Sequence, residues 1–309
     1  MSTTLSLSDL ALSDTALSDM ALPVAATYAA LCVAVVGLWF GRAVGLSALA
    51  IAVVLGYASG VLYGLAILWI GAFAGLCVAY DRAKSGAPTG LRAVYMALSA
   101  IGICVLAVGL GAHLLPGFHN FLVLDKVVLS SGAAPYSLYL NFDKTLVGVC
   151  IVAFCHRALL MRAKEWGRAL KRGTPLAVVN VVIVALGALA LGYLVWQPKW
   201  TSLFWIWAPV NLLFTCFSEE AFFRGFIQHE LTSSWRDSRF GSALAIAASA
   251  VLFGLAHFAG GASYIVLATA AGLGYAIVYH RTRSLEMSML AHFTLNAVHF
   301  LLFTYPQAL

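Results

Sequence analysis

Apolar runs of about 20 residues, the length of helix that crosses a hydrocarbon core of roughly 30 Å, recur from Ala21 to the C-terminus of this 309-residue chain. The runs cover 21–41, 44–61, 63–80, 92–115, 145–161, 175–196, 203–226, 242–259, 262–280 and 285–304. Hydrophobic residues make up 62% of the chain and charged ones only 10%, against about half and about a quarter in a soluble domain. In lipid every backbone polar group must be satisfied within the protein, and none of the runs alternates with period 2, so helices are preferred to barrel strands. The expected fold is all-α, a polytopic transmembrane helix bundle of about ten spans.

The net charge of +6 does not indicate nucleic acid, because it follows the topology. With Arg42 placed inside, alternating spans put Arg82, Lys84, Arg92, the cluster from Arg157 to Arg172, Arg224, Arg236, Arg239, Arg281 and Arg283 on the same side. Fifteen of the 18 basic residues then share one face, and Lys126, Lys144 and Lys199 lie on the other. Such asymmetry marks the cytoplasmic face. It predicts a multi-pass protein of a cell membrane with both termini outside. Cys32, Cys77, Cys104, Cys150, Cys155 and Cys216 all fall inside spans and form no CxxC pair. They read as small buried apolar residues, neither a disulfide framework nor a zinc site.

Three stretches divide the chain. Residues 1–20 carry the repeat LSLSD, LALSD, TALSD without a basic residue, a polar tail and not a secretory signal. Residues 21–172 form an N-terminal transmembrane region with no assignable chemistry, and 173–309 form the region where polar groups enter the spans. The longest loop, 116–144, is apolar enough to lie on the membrane and reads as a re-entrant connector or a platform for a partner. Arg162 to Arg172 reads as an amphipathic surface helix on anionic lipid, and Trp196, Trp200, Trp205 and Trp207 as an aromatic belt.

An ionisable residue at bilayer depth is a functional candidate by default, and the last third of the chain gathers several. In the seventh run, Glu220 and Arg224 stand at i and i+4 and are placed to pair, with the acid on the N-terminal side. Glu219 lies about 100° round the helix without that partner, a free carboxylate suited to act as general base toward water. His257 follows in Phe253-Gly254-Leu255-Ala256-His257. His292 and Asn296, again i and i+4, share one helix face, where two donors suit a developing oxyanion. His299 shares the His292 face and reads as packing, His229 and Glu230 as solvated. Gly225, Gly254, Gly260, Gly261, Gly272 and Gly274 read as close helix contacts.

The three motifs, EExxxR (Glu219 to Arg224), FxxxH (Phe253 to His257) and HxxxN (His292 to Asn296), resemble in order those of the CAAX-protease and bacteriocin-processing (CPBP, or Abi) family. The resemblance covers residues 175–304. It implies an intramembrane glutamic endopeptidase, a hydrolase in which Glu219 activates water, His257 assists, His292 and Asn296 form the oxyanion site, and Glu220 with Arg224 support it. It implies a peptide or protein substrate with a membrane anchor, the lipid bilayer as the other partner, and no cofactor or metal.

Other readings use the same residues. A non-catalytic relative would act as immunity factor, chaperone or scaffold. Glu219, His257 and His292 could in principle ligate zinc, although HExxH is absent. A transporter would use the acids as a proton relay, but no half-to-half similarity is visible. The run boundaries also set a geometric test: they place Glu219 toward the inner face and His257 toward the outer one, and only an extension of the seventh helix to about Leu231, with tilt or a shifted start of the eighth, brings them together.

Overall fold

The computed structural model describes residues 16, 17, 19–86, 90–156 and 158–309. Most of the N-terminal repeat, and Arg157 of the basic cluster, lie outside the described residues. Among the described residues ten helices account for the architecture: α1 (Leu22–Gly37), α2 (Arg42–Ala58), α3 (Gly64–Lys84), α4 (Gly90–Gly111), α5 (residues 142–155), α6 (Ala163–Ala190), α7 (residues 204–234), α8 (Gly241–Leu255), α9 (Gly261–Thr282) and α10 (Leu285–Leu302). The all-helical class therefore stands, with one addition. Within the loop read as a connector, β1 (Phe121–Val127) and β2 (Tyr136–Leu140) form an antiparallel hairpin, pairing Phe121 with Leu140 and Val127 with Tyr136. Val123, Leu124, Leu138 and Leu140 are buried beneath it, so the hairpin closes one end of the bundle. Its turn holds the C-terminus, through Ala134 N–H to Gln307 O and Leu309 N–H to Gly132 O.

Four of the ten runs become helices long and apolar enough to cross a bilayer: Gly64–Lys84, Gly90–Gly111, Ala163–Ala190 and Phe258–Thr282. These helices turn apolar side chains outward, as lipid-facing surfaces do. On α4 the exposed stripe is Val94, Leu98, Ile101, Val105 and Val108, spaced three or four residues apart. The remaining runs differ for physical reasons. The fifth run becomes α5, nine α-helical residues followed by five π-helical ones, about 21 Å at 1.5 Å per residue. From Phe142 to Cys150 only Lys144 escapes full burial, so α5 is a core strut, packed against α1, α3, α4 and α7. α10 carries Glu286, Ser288, His292 and Asn296 toward protein, which lowers its hydropathy.

Local sequence explains most ends. Pro23 opens α1, where the missing N–H costs nothing. The Ser284 hydroxyl accepts Met287 N–H at 3.0 Å to cap α10. The basic segment is not a separate surface helix. It is the first part of α6, entered where the Glu165 carboxylate accepts the Met161 and Arg162 N–H groups. Of the four tryptophans, Trp196, Trp200 and Trp205 are exposed as a belt requires, but Trp207 is buried. It stacks on Phe300 with centroids 4.5 Å apart and donates Nε1–H to Tyr305 Oη at 3.0 Å.

Candidate functional site

α7 carries the two acids and is not a uniform helix. Its turns at Asn211–Cys216 and Ala221–Gln228 are π-helical, with the α-helical Phe217–Glu220 between them. π-turns are often found at functional sites because they re-aim side chains without ending the helix. The helix runs on to Ser234, which makes Glu219 the middle residue of 204–234. α8 spans 15 residues and ends at Leu255, short of the end of its apolar run. The depth mismatch is removed on both sides: helix α7 is longer than its apolar run, and α8 is shorter.

Glu219 Oε2 lies 3.9 Å from His257 Nε2 and 3.9 Å from His292 Nε2, bringing α7, the end of α8 and α10 to one point. Among the described residues that oxygen, buried, has no hydrogen-bond partner. The tautomers follow from the other ring nitrogens. His257 Nδ1–H donates to Phe253 O at 2.7 Å, a carbonyl left free near the helix end, and His292 Nδ1–H donates to Glu220 Oε1 at 2.9 Å. Both rings therefore aim Nε2 at Glu219. In the neutral form those nitrogens accept, so His292 can donate there only when it carries a second proton.

Glu220 and Arg224 pair as their spacing indicates. Both side chains are completely buried, with Nη1 2.9 Å from Oε1. Arg224 Nη2 donates to Gly272 O at 2.8 Å, and the guanidinium lies over the Phe253 ring at 4.5 Å. Gly272 lets the helices approach closely, since a Cβ there would sit 3.0 Å from Phe253 and 3.2 Å from Arg224 Nη2. Ser288 donates its hydroxyl to the second oxygen of Glu220. Glu220 is thus a hub that fixes Arg224, His292 and Ser288 with both of its oxygens engaged, while among the described residues Arg224 Nε is buried without a partner.

Two placements differ from the sequence reading. Glu219 is not left without a cation: Lys144 Nζ donates to its Oε1 at 2.6 Å. Asn296 shares the helix face of His292, but its Nδ2 is directed at Asn211 Oδ1 (3.2 Å) and Cys216 Sγ (3.8 Å) on α7. Lys144, Asn211 and Ser288 were missed. Asn211 and Ser288 carried a signal, being polar residues inside apolar runs, Ser288 four before His292 and Asn211 eight before Glu219. Lys144 carried none. His299 packs at the edge of the site, lining the same small cavity as His292 and Asn296, with its ring against Tyr305 at 4.9 Å and Nε2 3.1 Å from Thr304 O. Glu230 is not freely solvated, since it pairs with Lys84, and His229 Nδ1 lies 3.3 Å from Tyr279 Oη.

Two cavities meet at His257. The larger, about 540 Å³, lies between α4, α5, α7 and α8, and Lys144, Ser218, Glu219 and His257 supply its polar wall. The smaller, about 80 Å³, is lined by His257, His292 and Asn296 together with Tyr264 and Tyr275. Among the described residues no group of three His, Cys, Asp or Glu side chains is arranged to hold a metal ion. The 3.9 Å separations around Glu219 exceed the roughly 3.4 Å edge of a tetrahedron built on bonds of about 2.0–2.2 Å.

Four apolar helices of membrane length, together with a cluster of two carboxylates, two imidazoles and two cations that is buried or partly buried among helices, define a helical membrane protein with an ionisable site. Residues 199–298 match the family model described as Rce1-like, the type II CAAX prenyl endopeptidase Rce1-like proteins. This is the CPBP family that the three motifs resemble, a family of proteases. The matched stretch contains all three motifs, whereas α1 to α6 lie outside it. No curated protein and no solved structure matches the chain.

Proposed function

We propose that the chain is an intramembrane endopeptidase that hydrolyses a peptide bond of a membrane-associated protein or peptide with water activated by Glu219. The observation that carries this reading is the convergence of Glu219 Oε2 with His257 Nε2 and His292 Nε2, each 3.9 Å away. One water at hydrogen-bonding distance, about 2.8 Å, from the carboxylate and an imidazole fits that spacing. Glu219 takes a proton as the water oxygen bonds to the scissile carbonyl carbon. The resulting oxyanion is held by His292 in its protonated form and by Asn296, whose amide exchanges Asn211 for the substrate. Glu219 then passes the proton to the leaving nitrogen as the C–N bond breaks. Residues 173–309 are the catalytic region in this reading. The protein sits multi-pass in a bacterial inner membrane with both termini outside, and its substrate carries a membrane anchor.

The test is Glu219→Gln in liposomes with a farnesylated, internally quenched CAAX peptide. This substitution keeps the volume and removes the base. Cleavage is expected to be lost while the protein keeps its unfolding temperature, and turnover at the wild-type rate refutes the reading.

A second reading is favoured by the Lys144–Glu219 ion pair and by the engagement of Asn296 with Asn211. Both are what a structural polar core in a non-catalytic relative, an immunity factor, chaperone or scaffold, would show. It predicts that Glu219→Gln leaves the phenotype intact.

A further inference from the structure

We propose that Lys144, on a helix outside the family-matched segment, is the positioning residue for Glu219, holding one carboxylate oxygen so that the other is presented to the two imidazoles. The inference rests on the hydrolytic reading above.

The two acids are adjacent in sequence, Glu220 completely buried and Glu219 nearly so, so two negative charges share a space largely shielded from water. Such a pair stays doubly ionised only when each charge has its own partner. Arg224 gives Nη1 to Glu220 and Nη2 to Gly272 O, with its guanidinium over the Phe253 face, and makes no ion pair with Glu219. The cation for Glu219 has to come from elsewhere, and Lys144 supplies it at 2.6 Å. The contact is selective between the two oxygens: Nζ takes Oε1, and Oε2 is the oxygen that faces His257 and His292.

The position of Lys144 is fixed from several directions. Phe142 N–H donates to Asn120 Oδ1 at 2.8 Å, Asn120 Nδ2 donates to Asp143 Oδ1 at 2.9 Å, and His113 Nδ1 lies 2.7 Å from Asp143 Oδ2. These contacts tie the first turn of α5 to the segment between α4 and the hairpin. One turn further on, Gly148 lets α5 approach α7 closely: a Cβ there would stand 2.6 Å from the Phe217 ring and 2.9 Å from Ser218 Cα. Lys144 and Gly148 are i and i+4 on one face of α5. The close approach therefore brings the Lys144 stem within reach of Glu219. A lysine serving only as surface charge would need none of this, and its side chain, 19% exposed, opens on the same cavity as Glu219 and His257.

The experiment compares wild type, Glu219→Gln, Lys144→Met, Lys144→Gln and Lys144→Arg, all full chain in liposomes with the farnesylated quenched peptide. Misplacement of a catalytic group by about 1 Å costs on the order of 100-fold, so Lys144→Met and Lys144→Gln are expected to lose kcat on that scale. KM should stay within about twofold, because ground-state binding is untouched. Lys144→Arg, which keeps a cation on a long stem, recovers most of the rate. Lys144→Gln keeps a donor without charge and covers the case in which Lys144→Met does not fold, while the folded Lys144→Arg variant tests rescue independently. Wild-type kcat in Lys144→Met or Lys144→Gln, a loss confined to KM, or a folded Lys144→Arg as inactive as Glu219→Gln overturns the assignment while hydrolysis by Glu219 stands. Wild-type turnover by Glu219→Gln overturns the hydrolytic reading itself.

Discussion

His257 stands 3.9 Å from Glu219 although it lies two residues beyond the end of its own helix. Its Nδ1–H is taken by Phe253 O, so the helix end fixes the tautomer and leaves only Nε2 for the site. If that nitrogen helps to hold and deprotonate water, His257→Ala lowers kcat by about 100- to 10,000-fold without changing the unfolding temperature by more than a few degrees. Kinetics in liposomes and thermal unfolding in detergent measure the two effects separately. A similar rate for His257→Ala and wild type removes His257 from the chemistry.

Arg224 makes the opposite prediction. Its guanidinium and the Glu220 carboxylate are both completely buried, and removing one partner leaves the other charged and unpaired. Arg224→Ala is expected to destabilise the protein by about 3–5 kcal/mol, seen as a lower unfolding temperature or lost expression, with inactivity as a consequence. The double variant Arg224→Met with Glu220→Leu, which removes both charges, should regain part of that stability. Its activity stays low, because His292 loses the carboxylate that orients it.

Gly148 is tested by addition of a single methyl group. The Cβ of Gly148→Ala would meet the Phe217 ring at 2.6 Å and Ser218 Cα at 2.9 Å, and the second contact is backbone, which cannot swing aside. Overpacking of this kind costs typically about 1–3 kcal/mol. The rate should fall as well, because separating α5 from α7 moves Lys144 away from Glu219. Gly148→Ala with unchanged stability and rate would show that the two helices are not in this register.

The sequence allowed much of the site to be read, because the informative pairs are local. Glu220 with Arg224 and His292 with Asn296 lie four apart on single helices, and helix periodicity alone puts each pair on one face. What could not be read depends on distance along the chain. Lys144 meets Glu219 across 75 positions, and periodicity carries no information over that span. Hydropathy also misjudged helix lengths where helices are buried in protein. α5 is shorter than its apolar run and α7 is longer, since contact with other helices, not lipid, sets their ends. The hairpin at 121–140 was hidden for a related reason: its apolar residues face the bundle end, which looks in sequence like membrane affinity.

Asn296 distinguishes a preformed oxyanion site from one assembled by substrate. Its amide now donates to Asn211 Oδ1 at 3.2 Å and reaches toward Cys216 Sγ at 3.8 Å, and it lines the smaller cavity beside His257 and His292. For Asn296 to stabilise the oxyanion, the bond to Asn211 must break during the reaction. Removing a donor that acts only in the transition state lowers kcat by about 100- to 1,000-fold and leaves KM nearly unchanged, which is the expected result for Asn296→Ala. Asn211→Ala separates the two cases. It leaves Asn296 unanchored, so if the Asn211 contact only restrains the amide, kcat holds or rises. If Asn211 orients the amide for catalysis, Asn211→Ala repeats the Asn296→Ala loss. Steady-state kinetics of the two single variants and the double variant decide between them, because residues acting as one unit give a double loss no larger than the worse single one.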